Sequence, residues 1–145
     1  MKLTSHTDYG LRVLMALAVN NDRLITIEAL AELHKVSRNH LMKVAQSLVA
    51  LGLVRSVRGR RGGLVLAREP GAIRMGSVVR GLETDLELVA CLGDRAATCV
   101  LSGACGLTDA LRNAIEAFLA ELDRLTLADL VATRPAVHRR LAIAA

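Results

Sequence analysis

Between residues 27 and 67 the apolar period of this chain switches once, and that switch narrows the folds open to it. Thr26 can cap a helix whose apolar positions are Ile27, Leu30, Ala31 and Leu33. The run His34-Lys35-Val36-Ser37 interrupts it. Ser37 then serves as N-cap of a second helix reaching to Gly52, with Leu41, Val44, Leu48 and Leu51 on one face at 3-4-3 spacing. Past Gly52, residues 53–57 and 64–67 are short β-prone runs around Arg58-Gly59-Arg60-Arg61-Gly62-Gly63. Two short helices with a tight joint form a helix-turn-helix, and a glycine-tipped hairpin directly after it forms a wing. Pro70-Gly71 closes this unit.

The remaining patterns fit around it. Residues 4–19 predict a first helix with Leu3, Leu11, Leu14, Leu17 and Ala18 on one stripe and Val13 and Ala16 beside it. Residues 73–88 predict a connecting helix around Val78, Val79 and Leu82, and 89–105 a loop that holds every cysteine. A long helix follows, with Leu111, Ile115, Phe118, Leu122 and Leu125 at heptad-like spacing. That seam suits a dimer interface or packing on its own domain. A short helix at 126–132 and a polar tail finish the chain. Tyr9 and Phe118 are the only aromatic residues among 145, so a core must be built from Leu, Val, Ile and Ala, which favours helices over a β-sandwich. The expected fold is mainly α: a winged helix-turn-helix with a two-stranded wing over 1–70, then a connecting helix, a cysteine loop and a long dimerisation helix over 71–145.

Charge separates the two halves. Residues 1–69 hold eleven Lys/Arg against five acids, a net +6, whereas 70–145 sum to −1. An excess confined to the winged unit is the footprint of a polyanion-binding face. A recognition helix reads base edges from its first turns, here Ser37, Arg38, Asn39, His40 and Lys43. Arg pairs bidentately with guanine and Asn with adenine. Arg58, Arg60 and Arg61 on a thin glycine-rich loop suit a narrow, electronegative minor groove. The partner predicted is a double-stranded DNA operator, read by a twofold homodimer. No Ser/His/Asp set, nucleotide-binding glycine loop or acid/base pair predicts an enzyme. Lys2, His6, Asp8 and Arg12 break any apolar opening run, and no stretch is long and apolar enough for a membrane span. The predicted location is the cytoplasm, without membrane contact.

Cys91, Cys99 and Cys105 are separated by seven and five residues. An odd number of thiols in a reducing compartment argues against a disulfide framework. Thiols on one loop suit a soft metal or an iron–sulfur cluster; buried free thiols are the alternative. The spacing lacks the paired knuckles of a zinc ribbon. A small electron carrier or a zinc-stabilised module would account for the cysteines but not for the wing.

Several stretches together resemble the NsrR-type nitric-oxide-sensing repressors of the IscR-like winged-helix iron–sulfur regulator family. They are the opening run through Thr7-Asp8-Tyr9-Gly10-Leu11-Arg12, the stretch Ser37-Arg38-Asn39-His40-Leu41-Met42-Lys43, the wing, and Leu125-Thr126-Leu127-Ala128-Asp129-Leu130. The resemblance runs from Met1 to about Val131. It implies a homodimer with one cluster per subunit on Cys91, Cys99 and Cys105, and places Asp8 at the position from which such proteins supply a fourth ligand to the partner subunit. It favours a 4Fe–4S over a 2Fe–2S cluster, with nitric oxide as the signal that ends repression. The IscR branch carries a His shortly after its third cysteine, where Gly106, Leu107 and Thr108 stand here. The cysteine spacing also occurs in iron-responsive relatives.

Overall fold

A computed structural model describes residues 2–93, 98–132 and 134–144. Helix α1 (Ser5–Val19) starts on Thr4, whose hydroxyl accepts from the Thr7 N–H, and buries Thr7, Gly10, Val13, Leu14, Ala16 and Leu17. The buried face takes in Leu14 and Leu17 of the predicted stripe with Val13 and Ala16 beside it, and leaves Leu11 and Ala18 only partly covered. Helix α2 (Ile27–His34) begins on the Thr26 cap and stops where Lys35 takes a left-handed φ of 53°. Helix α3 (Arg38–Ala50) begins on the Ser37 cap. Both capping hydroxyls satisfy helix N–H groups that would otherwise lack partners.

The wing is β1 (Val54–Val57) against β2 (Gly63–Leu66), antiparallel, in register from Val54↔Leu66 to Val57↔Gly63. Ile25 adds a single bridge to Leu64, tying the entry to α2 onto the wing. A 3-10 turn (Pro70–Ala72) leads to α4 (Met75–Leu82). After a second 3-10 turn (Ala90–Leu92) come α5 (Gly106–Asp123), α6 (Leu127–Ala132) and α7 (Pro135–Leu141).

One apolar cluster joins α1, α2, α3, both wing strands, α4 and α6; Leu14, Leu17, Leu30, Leu41, Leu48, Ile73 and Leu127 are buried completely. Each full burial of this kind contributes roughly 1.5–3 kcal/mol. Helix α5 leans mainly on α4, with Leu122 reaching that cluster, and Gly76 permits the approach. A Cβ there would lie 2.1 Å from Asp123 Oδ1. Asp123 is paired with Arg80 at 2.8 Å.

Three expectations are corrected. The connecting helix ends at Leu82 rather than 88. Glu83 turns to extended backbone, and its buried carboxylate accepts from the Thr4 N–H at 3.0 Å and from the hydroxyls of Thr4 and Thr7. Continuing the helix would break that capture, which also satisfies the α1 N-terminus. The heptad seam is cut short as well. Leu125 lies beyond α5 and is 37% exposed, its carbonyl accepting from the Met75 N–H, while Leu119, off the predicted seam, is the buried position. Finally, the polar tail forms α7. Asn20 Nδ2 donates to the Leu141 carbonyl at 2.9 Å, and the Ile143 N–H donates to Asn20 Oδ1 at 3.1 Å. No described helix is long and apolar enough to cross a membrane.

Candidate nucleic-acid interface and cysteine cavity

Arg38, Asn39 and Lys43 stand exposed on the first turns of α3. Ser37 Oγ accepts from the His40 N–H at 3.3 Å, so it is engaged as the cap. The His40 ring is half-buried, edge-on to Tyr9 of α1 with centroids 4.9 Å apart. His40 thus faces α1, while Arg38, Asn39 and Lys43 are exposed beside the capping Ser37.

Across from α3, the wing tip carries Arg58, Arg60 and Arg61, all exposed. Gly59 has φ 115°, and its carbonyl accepts from the Gly62 N–H at 2.9 Å. A Cβ on Gly62 would sit 2.3 Å from the Val57 carbonyl oxygen. Glycine is therefore required for the tip to fold back this tightly. Between α3 and the wing lies an open cleft of about 340 Å³, lined among others by Thr26, Glu28, Arg38, Met42 and Arg60. Glu28 and Met42 were not legible as cleft residues: Glu28 reaches it because α2 packs against α3, and Met42 lies exposed one turn along α3. Glu28 Oε1 lies 2.6 Å from Arg38 Nε.

Behind this surface, His34 Nε2 is buried with no hydrogen-bond partner among the described residues. Burial, then the Arg12 charge, holds its pKa below 6.5, against smaller upward effects of the Arg12 backbone and the Asp8 carboxylate. A proton is then bound more readily by the unfolded chain, so stability rises with pH between the two values. Urea unfolding should show stability that is fully present above about pH 6.5 and lost as pH falls through the lower, folded value. His34→Gln should lack that component; an identical pH profile in both proteins would dismiss it.

The second site is the cysteine loop, of which residues 94–97 lie outside the described residues. Cys91 sits in the turn after α4, its Sγ 3.6 Å from Thr108 Oγ1. Cys105 is the N-cap of α5. Hydrogen bonds from the Thr108 N–H, the Thr108 hydroxyl and the Leu107 N–H push its thiol pKa down, toward thiolate. Cys91, Cys99 and Cys105 are all half-buried free thiols lining one cavity of about 490 Å³, with Thr108, Asp109 and Arg112. Among the described residues, no three Cys, His, Asp or Glu side chains converge closely enough to hold an ion. In donor type the cavity fits a thiophilic group: three soft ligands among its lining residues, one already biased toward its ligating form.

Asp8 is not among the residues around that cavity. It lies half-buried on α1, where Arg12 Nε donates to Oδ1 at 3.0 Å and Arg12 Nη2 pairs with Oδ2 at 2.8 Å. Arg12 in turn lies 5.8 Å from the Tyr9 ring centre, linking Asp8 to the residue that carries His40 and the start of α3.

Residues 3–133 match the Rrf2 family, described as an iron-dependent transcriptional regulator. The HTH-type transcriptional regulator NsrR of Bacillus licheniformis is 42% identical over 142 residues, 97% of this chain and 99% of its own. NsrR of Bacillus subtilis is 44% identical over 142 residues, 97% of each chain. Among solved structures, CymR (YrzC), the global cysteine regulator of B. subtilis, superposes with a TM-score of 0.75 at 29% identity, covering 92% of this chain and 98% of that one. T. potens IscR gives a TM-score of 0.70 at 28% identity, covering 91% and 87%. The relatives are named as transcriptional regulators, and with residues 3–133 matched the chain belongs to the Rrf2 family.

Proposed function

We propose that this protein is a DNA-binding transcriptional repressor that works as a homodimer and answers nitric oxide through an iron–sulfur cluster. The observation that carries the DNA-binding part is the cleft between α3 and the wing. Arg38 lines it from α3 and Arg60 from the wing tip; Asn39 and Lys43 are exposed on the same helix turns as Arg38, and Arg58 and Arg61 on the same tip as Arg60. A helix start faces base edges while a thin arginine loop reaches the adjacent groove.

Cys91, Cys99 and Cys105 would hold the cluster, with Asp8 of a second copy as the remaining ligand, as the resemblance to NsrR-type regulators implies. When bound, a 4Fe–4S cluster, favoured over 2Fe–2S, supplies iron that nitric oxide can bind. The protein's own contribution is mechanical. Cys91 closes the segment that leaves α4, and Cys105 opens α5, so ligation of both ties those segments together. Helix α4 packs on α1, whose Tyr9 touches His40 at the start of α3. The exposed or half-exposed Leu107, Leu111, Ile115 and Phe118 on α5 are the surface for a second copy.

The first test addresses the wing. Arg60→Ala should weaken binding to every duplex, and the slope of log K against log salt should fall by about 0.9 in magnitude, the loss of one phosphate-type contact. Fluorescence anisotropy at a series of salt concentrations measures both. Unchanged affinity and slope would remove the wing tip from the interface.

A further inference from the structure

Among the residues lining the cleft between α3 and the wing, Glu28 is the single acid. A carboxylate on a surface that docks on DNA repels phosphate whatever the base sequence. Its presence there has a physical counterpart in its neighbour. Glu28 lies in the first turn of α2, and its Oε1 stands 2.6 Å from Nε of Arg38, the first residue of α3. The two side chains are 60% and 61% exposed. An ion pair this open is weak enough to be exchanged for a better partner.

Two effects follow. Paired with a carboxylate, Arg38 gains little from a phosphate met at random, because its charge is already offset. A contact through Nε also limits rotation of the guanidinium, so its parallel donors are offered in few directions. A guanine edge, with O6 and N7 side by side, accepts two parallel donors; other base edges do not. We propose that Glu28 is a specificity-determining residue, which holds Arg38 back from arbitrary duplex and directs it to guanine. This rests on the reading of α3 and the wing as the DNA-binding surface.

The experiment is selection from a random duplex pool, using anaerobically purified full-length protein, Glu28→Gln, Arg38→Ala and the double variant. The parent should enrich a motif with one guanine position that disappears in Arg38→Ala. Glu28→Gln should relax that same position, and its affinity for the unselected pool should rise roughly fivefold, the scale of one exposed ion pair. Its salt slope should steepen by up to about 0.9 as Arg38 turns to phosphate. In the Arg38→Ala background, Glu28→Gln should leave the selected motif unchanged. The proposal is overturned if Glu28→Gln keeps the parent's motif and pool affinity. It is also overturned if Glu28→Gln changes the motif without Arg38, because Glu28 would then read a base itself. A parent that enriches no sequence overturns the DNA-binding reading, and this proposal with it; enrichment by the parent separates the two failures.

Discussion

Cys99→Ala is expected to abolish the visible absorption of anaerobically purified protein, together with its bound iron and sulfide and any spectral response to nitric oxide. The reason lies in the cavity. Its lining offers three thiols and, among the described residues, no histidine, so loss of one thiolate leaves no soft donor in its place. The fold should survive, because Cys99 lies outside the apolar cluster that runs from Val13 to Leu127. Circular dichroism and thermal unfolding should therefore match those of parent protein stripped of iron. Asp8→Ala is the contrasting case. A carboxylate is a harder, weaker partner for iron than a thiolate, and water or a small thiol can take its place. Absorption should persist with an altered shape, while operator affinity becomes less dependent on whether iron is present. Full iron and sulfide content in Cys99→Ala would remove Cys99 from the site. An Asp8→Ala protein identical to the parent in spectrum, nitric oxide response and operator affinity would leave Asp8 as the simple partner of Arg12.

Arg38→Ala should produce the largest loss of sequence discrimination. A bidentate contact to a base edge is worth about 1–3 kcal/mol of discrimination, which is roughly a five- to 150-fold weaker operator complex. Affinity for unselected duplex should change far less, because the Arg38 charge is already offset by Glu28 at 2.6 Å. Competition binding at fixed salt, with a selected duplex against random duplex, measures the ratio directly. Equal losses on both would make Arg38 a backbone contact and pass the reading role to Asn39. Beyond releasing Glu28, the substitution should leave α3 in place, since Arg38 is exposed and the α3 cap is Ser37 Oγ on the His40 N–H.

What was legible in the sequence was whatever depends on neighbours a few residues apart. Thr26 and Ser37 cap their helices because a hydroxyl reaches an N–H three residues on. The wing follows from β-prone runs around glycines, and Gly62 is confirmed as a position where a Cβ would strike the Val57 carbonyl. The three cysteines pointed to one site, and they share one cavity. Capping, turn geometry and period are local, so a single sequence carries them.

Tertiary structure alone decided the rest. Residues 83–88 have helix-compatible spacing, yet Glu83 leaves the helix for Thr4 and Thr7, 79 and 76 positions away. Burying a carboxylate requires donors to meet it, and those donors were an unpaired helix N-terminus far up the chain. The tail reads as polar, but Asn20, 121 positions earlier, holds its backbone as part of the fold. Ser37 and His40 belong by position to the reading end of α3; the exposed Ser37 hydroxyl caps the helix, and the half-buried His40 ring packs against Tyr9. Glu28 looks like an ordinary first-turn acid, favourable at any helix start, until α2 and α3 cross and bring it to Arg38. Composition and period thus determined a basic winged helix with a thiol loop. Which of its polar residues face outward, and which hold one another, depended on side chains made neighbours by a shared core, a relation that local spacing does not encode.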